Sequence, residues 1–223
     1  LPTMYCFETC PFCFKVKALL GSRGIAYSKV EVDPTFKNQL KWSDWRKVPI
    51  FVDSDGTQVN DSNHILHYID AKNGSLFPRA GEDPDQDQWM EFSNNVLGKS
   101  IVAVIYASYW TSVKALDYVT RVDKFSRTSR LINKWLGAVI MRMVGKSRAK
   151  MFALPPRENL EFQLDKMSEG IRGDFFGGEQ PNGADYANFG ILRSMQGLNG
   201  FDIVEGHPVI SPWYGAMKKK SGV

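Results

Sequence analysis

Cys10-Pro11-Phe12-Cys13 is the stretch of this 223-residue sequence whose residue types and spacing can do chemistry. If a helix begins at Pro11, the two thiols lie one turn apart, and proline suits the first position of a helix. The unpaired amides and the dipole at that helix end stabilise negative charge, so Cys10 is expected to be partly thiolate. A thiolate at neutral pH is the nucleophile for disulfide exchange, glutathione chemistry or attack on a peroxide, and Cys13 is placed to resolve a mixed disulfide. The rival reading is half a zinc site or two packed thiols. Zinc would need two more ligands, and the candidates are Cys6 and the pair His64 and His67 rather than a second such motif, so no metal is expected. Cys6 reads as a core residue on a strand, the two histidines as capping or packing groups, and His207 before Pro208 carries no functional signal.

Two weaker signals follow. Val48-Pro49 comes after the basic pair Arg46-Lys47 and opens a strand, where a cis bond would turn the Val48 backbone outward. Free amide and carbonyl groups at that edge can pair with a cysteinyl peptide as an added strand. Farther on, Asp61-Ser62 opens a helix, so that a carboxylate, a hydroxyl and free amides converge on the amino-acid end of a ligand. Alone, these are an edge strand and a plain helix cap. In this order with the thiol pair they specify a site for glutathione or a related low-molecular thiol.

The elements that must position these groups can be read from periodicity and turn residues. Residues 3–7, 26–32, 48–52 and 57–60 read as strands, and 11–20, 36–42 and 61–69 as helices, with a turn at Ser54-Asp55-Gly56. That order gives a small mixed sheet with helices on both faces, a thioredoxin-like α/β domain over residues 1–74. Residues 75–86, rich in Pro, Gly and charge, read as a linker. Beyond it Trp89, Phe92 and Val96, then Leu160, Leu164, Met167 and Ile171, then Tyr186, Phe189 and Leu192 fall at helical intervals. Residues 87–223 should therefore be all-helical, with one helix started by a near capping box at Asn182-Gly183-Ala184-Asp185.

Composition bounds the rest. An apolar content of 43% excludes disorder of the whole. The longest apolar runs, 101–107 and 136–141, fall well short of the roughly 18 residues a membrane-spanning helix needs. The chain starts at Leu1 and enters a strand almost at once, which suggests an upstream segment removed. Net charge is only +4, yet residues 114–157 carry eleven Lys or Arg against two Asp. Trp135, Leu131, Val139 and Met143 recur at helical spacing among them, consistent with a solvated helix face or with peripheral contact to an anionic membrane, not with nucleic-acid binding. Three cysteines, two in one motif, point to a reducing intracellular compartment.

The sequence resembles the glutaredoxin and glutathione transferase families, and most of all the membrane-associated prostaglandin E synthase type two family, over nearly its whole length. The N-terminal resemblance lies in Thr9 to Cys13 with Lys15-Val16, Tyr27 to Val32, Trp45 to Ile50, and Asn60-Asp61-Ser62. The C-terminal resemblance lies in Gly177 to Asn182, Ala184-Asp185, Leu192-Arg193, Met195, Gly197-Leu198 and Pro212-Trp213-Tyr214. It implies a glutathione-transferase-type helical domain after the thioredoxin-like one. Cys10 would be the catalytic thiol, with Cys13 beside it. Phe7, Pro11, Phe12, Lys47, Val48, Pro49, Asp61 and Ser62 would surround glutathione, and a small apolar substrate would sit between the domains. The family is dimeric, can bind haem with glutathione, and isomerises a prostaglandin endoperoxide. Its membrane association comes from an N-terminal segment absent from this chain, and a Golgi, mitochondrial or cytoplasmic location is compatible with it. Phe7 departs from the family, which has a tyrosine able to hydrogen-bond the thiol. Two rival readings are a glutaredoxin-like thiol-disulfide oxidoreductase and a lipid-binding module like the chloride intracellular channel family.

Overall fold

Four short strands, β1 (Thr3–Cys6), β2 (Ser28–Glu31), β3 (Ile50–Val52) and β4 (Gln58–Asn60), form one sheet in the order β2-β1-β3-β4. The computed structural model describes residues 1–123, 125 and 127–223, the side chains of 127–133 excepted, so Lys124, Arg127, Arg130 and Leu131 of the basic block lie outside the described side chains. β1 pairs parallel with β2 and antiparallel with β3, which pairs antiparallel with β4. A parallel pair needs a crossover, supplied by α1 (Pro11–Ser22), whereas β3 and β4 join through a tight turn with Gly56 at φ 88°. α2 (Ser62–Lys72) completes this half.

Side chains alternate across β1 as the pleat requires. Met4 and Cys6 pack under Val16, Leu19 and Leu20 of α1 and Ile65, Leu66 and Ile69 of α2. Tyr5 and Phe7 face the other way, onto Val32, Leu40 and Ile50. The helix expected over 36–42 on that second face is only a 3-10 turn, Asn38–Leu40. The Asp33 carboxylate takes the Thr35 and Phe36 amides at 2.7 and 2.9 Å, and Lys37 adopts left-handed φ 50°, so the chain turns instead of winding. β2 is likewise shorter than expected: it is the sheet edge, and Ala26 and Ser28 remain exposed.

The second half is helical. Asp83 caps α3 (Pro84–Phe92), which begins within the stretch read as linker. A π-turn, Ser93–Leu97, then leads into α4 (Gly98–Ile105). One extra residue in the turn rotates the helix face, so Leu97, Ile101 and Val104 are buried where the spacing had pointed to Val96. α5 (Tyr109–Val122), α6 (Arg127–Ala149), α7 (Pro156–Glu169), α8 (Gly183–Arg193), α9 (Phe201–Gly206) and α10 (Ile210–Ser221) follow.

α8 starts at the expected capping box: Asn182 Oδ1 accepts the Ala184 amide at 3.0 Å, and Asp185 returns the bond to the Asn182 amide at 2.9 Å. Asp185 is wholly buried and also accepts from the Phe176 and Gly177 amides and from Trp213 Nε1 at 2.8 Å, which ties α10 to α8. α8 is buried on nearly every side and packs on α1, where Gly190 permits contact that a side chain would forbid. One apolar core therefore runs through both halves.

α6 behaves differently. It packs inward through small residues, Ala138 and Gly145, the latter against the Tyr106 carbonyl. Its Trp135, Leu136, Val139, Ile140 and Met143 are all exposed. Of the periodic apolar residues noted in the basic block, Trp135, Val139 and Met143 thus face away from the core, and Leu131 lies outside the described side chains. Among the described residues no single helix is long and apolar enough to cross a membrane.

Candidate functional site

Cys10 occupies the position just before α1 with extended backbone, its carbonyl accepting the Phe14 amide at 3.0 Å, and Pro11 is the first helical residue. The thiol is half-buried. A hydrogen bond from the Cys13 thiol holds the Cys10 pKa below that of an ordinary cysteine; burial works against it, the Cys13 and Phe12 amides reinforce it, and the Asp123 charge opposes it. Cys13 is fully buried, and burial together with the neighbouring Cys10 pushes its pKa well up. Cys6 is raised to about 12, mainly by burial. Of the three sulfurs, Cys10 is thus the one whose ionisation is favoured, and the helix start supplies amides that stabilise its charge.

The loop into Cys10 is fastened from the other half of the protein. Asp123, at the end of α5, accepts the Glu8 amide at 2.5 Å, the Thr9 amide at 3.3 Å and the Thr9 hydroxyl. Burial raises its own pKa, and these three bonds pull the other way.

Phe12, Lys47, Val48, Pro49, Asp61 and Ser62 come together along one open cleft of about 270 Å³. The Val48-Pro49 bond is cis, as the sequence led one to expect, and Val48 lies outside the ladder that starts at Ile50. Asp61 caps α2 through the Asn63 amide at 2.9 Å from a backbone at φ 69°, a region costly for a non-glycine residue and frequent at functional sites. Ser62, the first residue of α2, is buried with its amide aimed out of the helix end. Phe7 does not line the cleft. It lies behind it, packed in the second apolar cluster with Trp45 and Val48.

Four residues of this region were not singled out as site residues from the sequence. Trp45 and Asn94 complete the cleft, and the Trp45 Nε1 donor is buried with no protein partner among the described residues. Asp123 is the second-domain anchor just described. Lys15 is wholly buried, its ammonium bonded to Ser93 Oγ at 2.7 Å, Asn94 Oδ1 at 2.6 Å and Asn63 Oδ1 at 3.4 Å, with the Phe12 ring 5.5 Å away. Burial lowers its pKa to about 7, and the charges of Asp61 and Cys10 work against that fall. One signal was available: Lys15 stands three residues after Phe12 and four before Leu19, on the inward stripe of α1. Nothing local marks Asn94 or Asp123. His67 packs edge-on to Phe77, and burial lowers its pKa, as the packing reading of the histidines anticipated.

Residues 4–77 match the family described as Glutathione S-transferase, N-terminal domain. Over 97% of its length the chain is 28% identical to Prostaglandin E synthase 2 of Danio rerio, covering 70% of that protein. It is 33% identical to Glutaredoxin 3 of Escherichia coli strain K12 over 32% of this chain and 87% of that one. Among solved structures, Glutaredoxin 2 from Salmonella typhimurium in complex with glutathione superposes with TM-score 0.60 at 16% identity, covering 100% of this chain and 95% of its own. The last likeness concerns the fold: a small mixed sheet with its helices, followed by a helical domain.

Proposed function

The chain belongs to the glutathione transferase superfamily, and from that premise we propose that it is a glutathione-dependent enzyme of the isomerase or transferase kind that works through Cys10. The observation that carries the proposal is the convergence on one cleft of the Val48-Pro49 edge, the Asp61-Ser62 helix start and Phe12, two residues after Cys10, whose pKa is held below that of an ordinary cysteine. A γ-glutamyl tripeptide suits this arrangement. Its cysteinyl backbone would pair with Val48, and its amino-acid end would meet Asp61 and Ser62.

For an endoperoxide substrate of the kind that a prostaglandin E synthase name implies, the step balances without net redox. The thiolate forms a bond to one peroxide oxygen, the O–O bond breaks, and the other oxygen leaves with the pair as an alkoxide that takes a proton. Loss of the proton from the carbon bearing the sulfur-bound oxygen then forms the ketone, and sulfur departs as thiolate. Low thiol pKa serves both ends, because the same group must attack and later leave.

A thiol-disulfide oxidoreductase is the second reading, favoured by the hydrogen bond between Cys13 and Cys10. In that chemistry the Cys10 thiolate displaces one thiolate from a mixed disulfide and is itself released by glutathione or by Cys13. None of the residues lining the cleft is a His, Cys, Met or Tyr able to ligate iron, so a haem there would depend on a thiolate from the bound thiol or Cys10, and no step here runs through it. Peripheral lipid contact, proposed for the exposed Trp135 to Met143 face beside Arg142 and Lys146, and a homodimer belong to the same reading. So does a reducing compartment, where Cys10 remains a thiol.

The test combines calorimetry and turnover. Reduced glutathione is expected to bind wild type and to bind Ser62→Ala more weakly. Isomerisation of an endoperoxide should require Cys10 and consume no thiol. Reduction of a glutathione mixed disulfide that needs Cys10 and tolerates Cys13→Ser, with no endoperoxide conversion, would select the second reading. No heat with any low-molecular thiol would overturn both.

A further inference from the structure

The amide of Asn94 is held in one orientation by Lys15. Lys15 Nζ donates to the Asn94 carboxamide oxygen at 2.6 Å, so that oxygen faces Lys15. The amide nitrogen is then the free end. It makes no hydrogen bond among the described residues, and Asn94 is one of the residues lining the cleft, alongside Asp61 and Ser62. Lys15 is itself fixed: Ser93 Oγ accepts from it at 2.7 Å while donating to the Met90 carbonyl at 2.6 Å, and Asn63 Oδ1 lies on its third side. The π-turn is what presents Ser93 and Asn94 together, since the break in winding turns two consecutive side chains toward α1. A free donor group is therefore carried by a residue that lines the same cleft as the acidic cap and the helix start.

We propose that Asn94 is a specificity-determining residue that donates through its amide nitrogen to the α-carboxylate at the amino-acid end of the thiol ligand, and that Lys15 is its positioning residue. The inference rests on the proposed glutathione site and deepens it. Within that site, Asp61 is the acidic partner suited to the ligand ammonium, and the Ser62 amide and Asn94 nitrogen are the donors suited to its carboxylate. Asn94 makes this end a two-domain contact: α2 supplies one side and the helical domain the other. The buried lysine, lacking any carboxylate in contact among the described residues, is explained as the part that fixes the amide rather than as a surface charge turned inward by chance.

The experiment compares two ligands on the full chain by calorimetry: reduced glutathione and 4-aminobutyryl-cysteinyl-glycine, which lacks only the α-carboxylate. Wild type should prefer glutathione. Asn94→Ala should weaken glutathione by roughly tenfold, one charge-assisted hydrogen bond, and leave the truncated peptide unchanged. Asn94→Asp keeps the bond to Lys15 and should weaken glutathione further, because it faces the carboxylate with a like charge. Lys15→Met should shrink the preference for glutathione although residue 94 is untouched, a readout that loss of packing alone would not produce. Wild type that binds both ligands equally, or Asn94 variants that keep the full preference, would overturn the assignment while glutathione binding itself stands. Wild type that binds neither would overturn this inference together with the function it rests on.

Discussion

Replacing Lys15 with methionine removes a buried amine while keeping most of its volume, and the expected consequence is a changed dependence of stability on pH. Among the described residues the Lys15 amine touches only neutral acceptors, a hydroxyl and two carboxamides, while Asp61 and Cys10 act on it from farther away. Burial therefore prevails, and the pKa falls from 10.5 to about 7. Between those two values the unfolded chain keeps a proton that the folded chain has released. The unfolded state then binds more protons, so this group makes stability rise as pH rises through that interval. At about 1.36 kcal/mol per pH unit, the gap from 10.5 to about 7 spans about 5 kcal/mol. From about pH 7.5 to about pH 9.5, allowing for partial ionisation at the lower end, the gain is roughly 2 to 3 kcal/mol. Urea unfolding of wild type and Lys15→Met at both pH values gives the quantity as a difference of differences, in which other titrating groups largely cancel. Wild type should gain roughly 2 to 3 kcal/mol on the variant. A difference between the two proteins that stays constant across this window would show that Lys15 titrates as an ordinary lysine and would refute the burial argument.

The remaining predictions concern the thiol loop and the helix contacts. Alkylation by iodoacetamide should modify Cys10 ahead of Cys6 and Cys13 with a pH midpoint below that of ordinary cysteine; Cys13→Ala, which removes the leading hydrogen bond, should move that midpoint upward, and an unmoved midpoint would count against the bond. A double-mutant cycle of Thr9→Val with Asp123→Asn should give a coupling of about 1 kcal/mol in denaturant unfolding, with additivity as the contrary result; Asp123→Asn alone should also lower the Cys10 midpoint, since it removes a negative charge. Gly190→Ala should cost about 2 kcal/mol or more, because its methyl group would lie 2.4 Å from the Lys15 amide nitrogen and 2.7 Å from its Cα. Gly215→Ala on α10 meets nothing within 4 Å and should be neutral or stabilising, so equal effects in thermal unfolding would undo the reasoning.

What could be read from the sequence was local. Cys10 to Cys13 between a strand and a helix, the cis Val48-Pro49 bond, the Asp61 cap and the Asn182-Asp185 box each lie within a few residues of the group that gives them meaning. What escaped depends on partners far apart in the chain. Lys15 meets Asn94 across 79 positions, and Asp123 meets Thr9 across 114, with no periodicity to announce either. The π-turn escaped for another reason: its five residues carry no Gly or Pro, and Trp89, Phe92 and Val96 keep a regular spacing that the backbone does not follow. The 3-10 turn in place of a helix at 36–42 came from competition, with the Asp33 carboxylate capturing amides that a helix would have needed. On α6 periodicity gave the helix and not its inward side, because Ala138 and Gly145 make the closer approach while the bulky residues face out.

The hold of Asp123 on Glu8 and Thr9 also bears on modularity. A shortened protein that stops before α5 keeps the nucleophile and loses the tether on its approach. Transplanting the first 74 residues onto another carrier would import a sulfur without its anchor. Selection or engineering applied to the distal half can in this way tune the reactive atom without altering any residue beside it.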